Sequence, residues 1–253
     1  MNTTSQLIPG IYNYCDTWCE RCLFTTRCRS FQLQAEAGLA KPMNAGPDLV
    51  QQLTDALNLT KQYIEKLSRA NRLSGPGAPV DEQLQAYEEQ VVAPAVNPKR
   101  HPVALLANDY LKQTGAWFKD EKNLLEQAGY QQLQEVELGL RTQEDAMPML
   151  HALKDAWDMI GWYRTLIPVK TQSALRALAE PVNDAYLNDY HLGKAKLVLV
   201  SIDRSLLAWQ TLMQHFPDKT DDLLDLLALL SRLRREMEAL FPEARAFRRP
   251  GLD

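Results

Sequence analysis

Residues 194–241 read KAKLVLVSIDRSLLAWQTLMQHFPDKTDDLLDLLALLSRLRREMEALF. The LVLV at 197–200 invites a strand, but apolar residues at helical spacing run straight through it. The stretch predicts two long helices, Lys194–His215 and Asp218–Phe241. Pro217 separates them and Asp218 is the expected N-cap. Two long amphipathic helices joined by so short a connection predict antiparallel neighbours.

The same grammar extends towards the amino end. Residues 181–192 allow a brief helical turn that Gly193 would end, and 171–180 reads as a further helix that Pro168 kinks or separates from a long one over 144–166. Residues 130–142 are ambiguous and allow a shorter helix. From Pro102, Val103, Leu106, Ala107, Tyr110, Thr114, Trp117, Leu124, Leu125 and Ala128 share one helical face. Three prolines within 94–102 exclude continuous helix there. Before them come a short helix capped by Asp81, a linker at 73–79 and a helix opened by Pro47. A helix ending near Ala37 is stopped by Gly38. No repeat or low-complexity segment appears. The expected fold is all-α: a single-domain antiparallel helical bundle over 41–253, preceded by a cysteine-rich metal-binding segment over 1–40. With no coiled-coil seam, a monomer is the default.

The chain has 253 residues, 45% of them hydrophobic and 24% charged, and a formal charge of −4. This is the profile of an ordinary globule with a core of its own and excludes disorder as the main state. No apolar run approaches the ~18 residues that suggest a membrane span. The acidic balance argues against nucleic acid as a partner; any protein or small-molecule partner stays open. Residues 1–14, MNTTSQLIPGIYNY, carry neither a basic n-region nor an apolar h-region, so the expected compartment is the cytoplasm. Grouped cysteines there are more often metal ligands or redox thiols than disulfides.

All four cysteines fall in one run, Cys15-x3-Cys19-x2-Cys22-x5-Cys28. On a helix Cys15, Cys19 and Cys22 would share one face, and a break near Thr25 would return Cys28 to the other three. Arg21, Arg27 and Arg29 lie nearby and would favour thiolate, the metal-binding form. Tyr14, Trp18, Leu23 and Phe24 are placed to exclude water. Four thiolates suit a 4Fe–4S cluster or, alternatively, tetrahedral zinc. Ligands gathered in one short run favour the cluster, since structural zinc usually draws two pairs from separated knuckles. Unmetallated thiols, or a dithiol switch at Cys19 and Cys22, are the plainer possibility.

The x2 and x5 intervals resemble the last two intervals of the cluster loop in DNA glycosylases of the endonuclease III class. The likeness covers only these cysteines, and no glycosylase activity is carried over. Cys15-x3-Cys19-x2-Cys22 is also similar to the cluster motif of radical S-adenosylmethionine enzymes, which use three cysteines on a β/α barrel that this helical pattern does not predict. Zinc-dependent anti-sigma domains have similar x3 and x2 spacing on a helix, which keeps zinc in view.

Glu121 and Arg164 fall on apolar stripes and are the candidate lining of a polar pocket inside the bundle; a structural ion pair is the plainer reading. His151, Asp155 and Asp158 share one face, read here as a solvated surface. Asp203 and Arg204 interrupt an apolar helix and are expected to line its solvent edges. Arg245, Arg248 and Arg249 form a basic tail, solvated or in weak contact with an acidic partner. No phosphate loop, nucleotide fingerprint, nucleophile elbow or Glu-x-x-His pair is present, so no motif names a reaction. The expected function is a metal-binding helical protein with a 4Fe–4S cluster on Cys15, Cys19, Cys22 and Cys28 in a redox, sensing or structural role. The alternatives are an interaction scaffold with a structural four-cysteine zinc site, and an enzyme with its pocket in the bundle.

Overall fold

The computed structural model describes residues 6–36, 97–176, 178 and 185–253. The chain divides into two compact units, residues 1–29 with 96–253 and residues 30–95. The helices expected after Pro47 and Asp81, the linker at 73–79, and the boundary expected between residues 40 and 41 lie outside the described residues. Six α-helices are described, with no strand among them: α1 (Arg29–Glu36), α2 (Pro102–Asp120), α3 (Leu124–Glu137), α4 (Gln143–Arg176), α5 (Ala185–His215) and α6 (Thr220–Leu240). No helix among the described residues is long and apolar enough to cross a membrane.

Helices α2, α4, α5 and α6 share one core. Tyr110, Ile160, Ile167, Trp209, Leu212 and Leu230 are sealed from solvent within it. Aromatic rings tie three of the helices together. Phe118 of α2 stacks on Trp157 of α4 at 4.2 Å between centroids, and Trp117 meets Trp209 of α5 edge-on at 5.0 Å. The buried indole of Trp209 donates to Tyr110 Oη at 3.1 Å, so neither polar end is orphaned by that burial.

Four boundaries differ from expectation, each for a physical reason. The face running from Val103 to Ala128 is cut at 121–123, where the amide of Leu124 bonds back to the Glu121 carbonyl and reorients the chain into α3. Pro168 does not divide α4, which runs unbroken through it. The missing N–H costs roughly 3 kcal/mol, and the buried face on either side, Ile160, Tyr163, Ile167, Thr171 and Leu175, supplies the opposing packing. Gly193 does not stop a helix but lies inside α5. A Cβ there would come within 2.1 Å of the Tyr14 ring, so the position serves close approach. Asp218 sits in a 3-10 turn, Pro217–Lys219, and Lys219 is the residue before α6, so Asp218 is not the cap.

Candidate metal centre

The segment from Gln6 to Cys28 is not the helix that the cysteine spacing suggested. It is a chain of 3-10 turns, Ile11–Asn13, Cys19–Arg21 and Thr25–Arg27. Between Cys15 and Cys19 the backbone turns at Thr17, whose φ of 59° is an outlier for a β-branched residue. Its carbonyl accepts from the Cys19 amide at 3.0 Å. The Ile8 amide donates to the Arg27 carbonyl and Arg27 Nε to the Gln6 carbonyl, both at 3.0 Å, closing the segment into a loop.

The loop is fastened to the helices by polar contacts that converge on one aspartate. Tyr163 of α4 donates its hydroxyl to an Asp16 carboxylate oxygen at 2.6 Å, and Arg204 Nη1 of α5 donates to the same oxygen at 2.9 Å. Arg204 Nη1 also donates to Tyr163 Oη, and Trp162 Nε1 donates to the Asp16 carbonyl at 3.2 Å. Partial burial, then the hydrogen bond to Asp16, push the Tyr163 phenol up to about 12. Trp18 stacks on Trp162 at 5.0 Å and 13° and carries Arg21 on its ring at 4.4 Å. Arg21 Nη2 then reaches Asp158 at 2.9 Å and Asp155 at 3.0 Å.

The carboxyl end holds the loop as well. Arg249, only 7% exposed, donates to the Tyr14 carbonyl at 3.5 Å and grips Asp253 through Nε and Nη2. That grip holds the Asp253 carboxyl down at about 2. The basic tail is therefore not simply solvated. Arg245 likewise pairs with Asp203 and Glu238.

Within this frame the four cysteines are half-buried and reduced. Cys15 donates to the Tyr12 carbonyl at 3.7 Å, and the Phe24 amide donates to Cys22 Sγ at 3.4 Å. Burial is the main force pushing the thiols of Cys15 and Cys19 up. Charge on the companion sulfurs adds to it: Cys22 and Cys28 act on Cys15, and all three others act on Cys19. No arginine is among the main influences on these two thiols, and Arg21 is engaged by Asp155 and Asp158. Among the described residues no three His, Cys, Asp or Glu side chains close around a single ion. A tetrahedral zinc with ~2.3 Å bonds would draw its sulfurs to within about 4 Å of one another; the four thiolates of a cubane sit on separate irons and stand further apart.

A cleft of about 450 Å³ adjoins the loop, with Cys15 and Cys22 in its lining and a floor from α4 and α5. Its lining includes neither Glu121 nor Arg164. Glu121 pairs with Lys219 at 2.5 Å, and the Arg164 guanidinium lies over the Phe118 ring at 5.4 Å. Spacing gave no sign of Asp16, Tyr163 and Arg204, which the fold brings together across 147 and 188 residues of separation from Asp16. The one available signal was Arg204 breaking an apolar run. No protein-family model, no curated protein and no solved structure matches this chain.

Proposed function

We propose that the chain is an antiparallel helical bundle carrying a 4Fe–4S cluster on Cys15, Cys19, Cys22 and Cys28, working in electron transfer or redox sensing in a reducing compartment. The observation that carries this reading is the docked loop, which holds four reduced, half-buried cysteines in one strongly bent stretch. Two features support the reading. The Phe24 amide faces Cys22 Sγ, the kind of N–H···S contact that tunes cluster potentials. All four cysteines also fall within one short run of the sequence.

The test is the visible and electron paramagnetic resonance spectra of anaerobically purified protein, wild type beside Cys19→Ser. The reading expects a brown wild type with broad absorbance near ~400 nm and a reducible paramagnetic centre, both diminished in Cys19→Ser. A colourless wild type that melts at the same temperature with and without a chelator would overturn it. A colourless protein that loses its amino-terminal fold on chelation would assign the thiols to structural zinc.

A further inference from the structure

Three guanidinium groups line the cleft beside the cysteines, and the protein uses them unequally. Arg249 has a partner at each of its nitrogens, with Nε and Nη2 on Asp253 and Nη1 on the Tyr14 carbonyl. Arg204 engages only Nη1, on Asp16 and Tyr163, and Arg21 only Nη2, on Asp155 and Asp158. A guanidinium offers five N–H donors in a planar fork. The remaining donors of Arg21 and Arg204 have no hydrogen-bond partner among the described residues. Both side chains are partly open to solvent, at 37% and 49%.

Part of the lining is apolar. Buried Ala156 of α4 and Ala208 of α5 lie in it, with exposed Ala152 and Leu207 at its rim. Alanine at three of these four positions keeps the space from being filled by the protein's own side chains. A cavity of this size is in the range of small-molecule sites, roughly 300–1,000 Å³. Asp16, Asp155, Asp158 and Asp253 offset all of the charge on the three guanidinium groups, so the cleft has no positive surplus and a dianion is disfavoured more than a ligand bearing one negative charge. Cys19 and Cys28 are outside the lining, so this space lies beside the four thiols and is not the volume they enclose.

We propose that the cleft binds a small monocarboxylate with an apolar tail, the carboxylate taken by the spare N–H groups of Arg21 and Arg204 and the tail laid over Ala152, Ala156 and Leu207. Arginine forks match planar carboxylates in a two-pronged geometry that an alcohol cannot offer. The site stands whatever centre the cysteines hold.

The experiment is isothermal titration of the full chain with octanoate, octan-1-ol and octyl phosphate. It is repeated on Leu207→Trp and Arg204→Lys. Leu207 is 63% exposed, so tryptophan there obstructs the cleft from its rim without disturbing the core. Octanoate should saturate one site, with the alcohol and the phosphate at least about tenfold weaker. Leu207→Trp and Arg204→Lys should each weaken octanoate by about tenfold or more. Alcohol or phosphate binding as tight as octanoate, undiminished binding in Leu207→Trp, or no saturable octanoate binding would each overturn the proposal.

Discussion

Asp16 bears more of the loop's attachment than any cysteine does. Its carboxylate accepts from Tyr163 and Arg204, and its carbonyl accepts from Trp162. Asp16→Ala strands a phenol and a half-exposed guanidinium; the expected loss is about 2 kcal/mol in chemical denaturation. Trypsin should then cut faster at Arg21 and Arg27. Asp16→Asn, which keeps one acceptor, should lose less; equal stability of all three proteins would remove Asp16 from this role. Asp253 makes a second prediction through pH. Its carboxyl is held at about 2, below its ordinary 3.8, so the stability it lends is whole above 3.8 and drains away as pH falls through about 2. Asp253→Asn should therefore show a flatter acid limb in stability against pH, from a lower plateau at neutral pH. Of these residues the sequence singled out the cysteines, because a run of candidate ligands is visible in local spacing. Asp16, Tyr163 and Arg204 have no local signature, since their meeting depends on how α4 and α5 pack. Arg249 read as a solvated end for the same reason.

At the scale of elements, the helices were legible where apolar periodicity alone decides, and their ends were misread where tertiary contact decides. α6 begins within two residues of its expected start, and α5 runs through the glycine expected to end a helical turn. Proline at 168 and glycine at 193 are breakers by propensity, yet in α4 and α5 packing overrides them. The cysteine stretch shows the converse. Its i, i+4, i+7 spacing reads as helix, but Tyr14, Trp18 and Asp16 all bind the bundle, which a straight helix would not allow at once. The contact of Gly193 with Tyr14 can be tested as a cycle. Gly193→Ala gains up to about 1 kcal/mol of helix propensity but drives a methyl into the ring, so a net loss of roughly 1–3 kcal/mol is expected. Adding Tyr14→Leu should recover part of that loss. Strict additivity of the two changes would show that the contact carries no energy.

For the molecule as a whole, the proposed centre would couple folding to metal chemistry. Docking half-buries the cysteines, and burial with mutual charge pushes Cys15 and Cys19 up. Thiolates would be the ligands of the proposed centre, so loading it would release these protons, and acid would oppose it. Retention of the centre should therefore fall as pH drops, and the Asp16→Ala protein should lose it at a higher pH than wild type. Identical pH profiles would separate docking from metal binding. The most direct measurement is the content of iron, acid-labile sulfide and zinc in the anaerobically purified full chain. The account predicts about four iron and four sulfide per chain with negligible zinc. One zinc per chain with neither iron nor sulfide would contradict it.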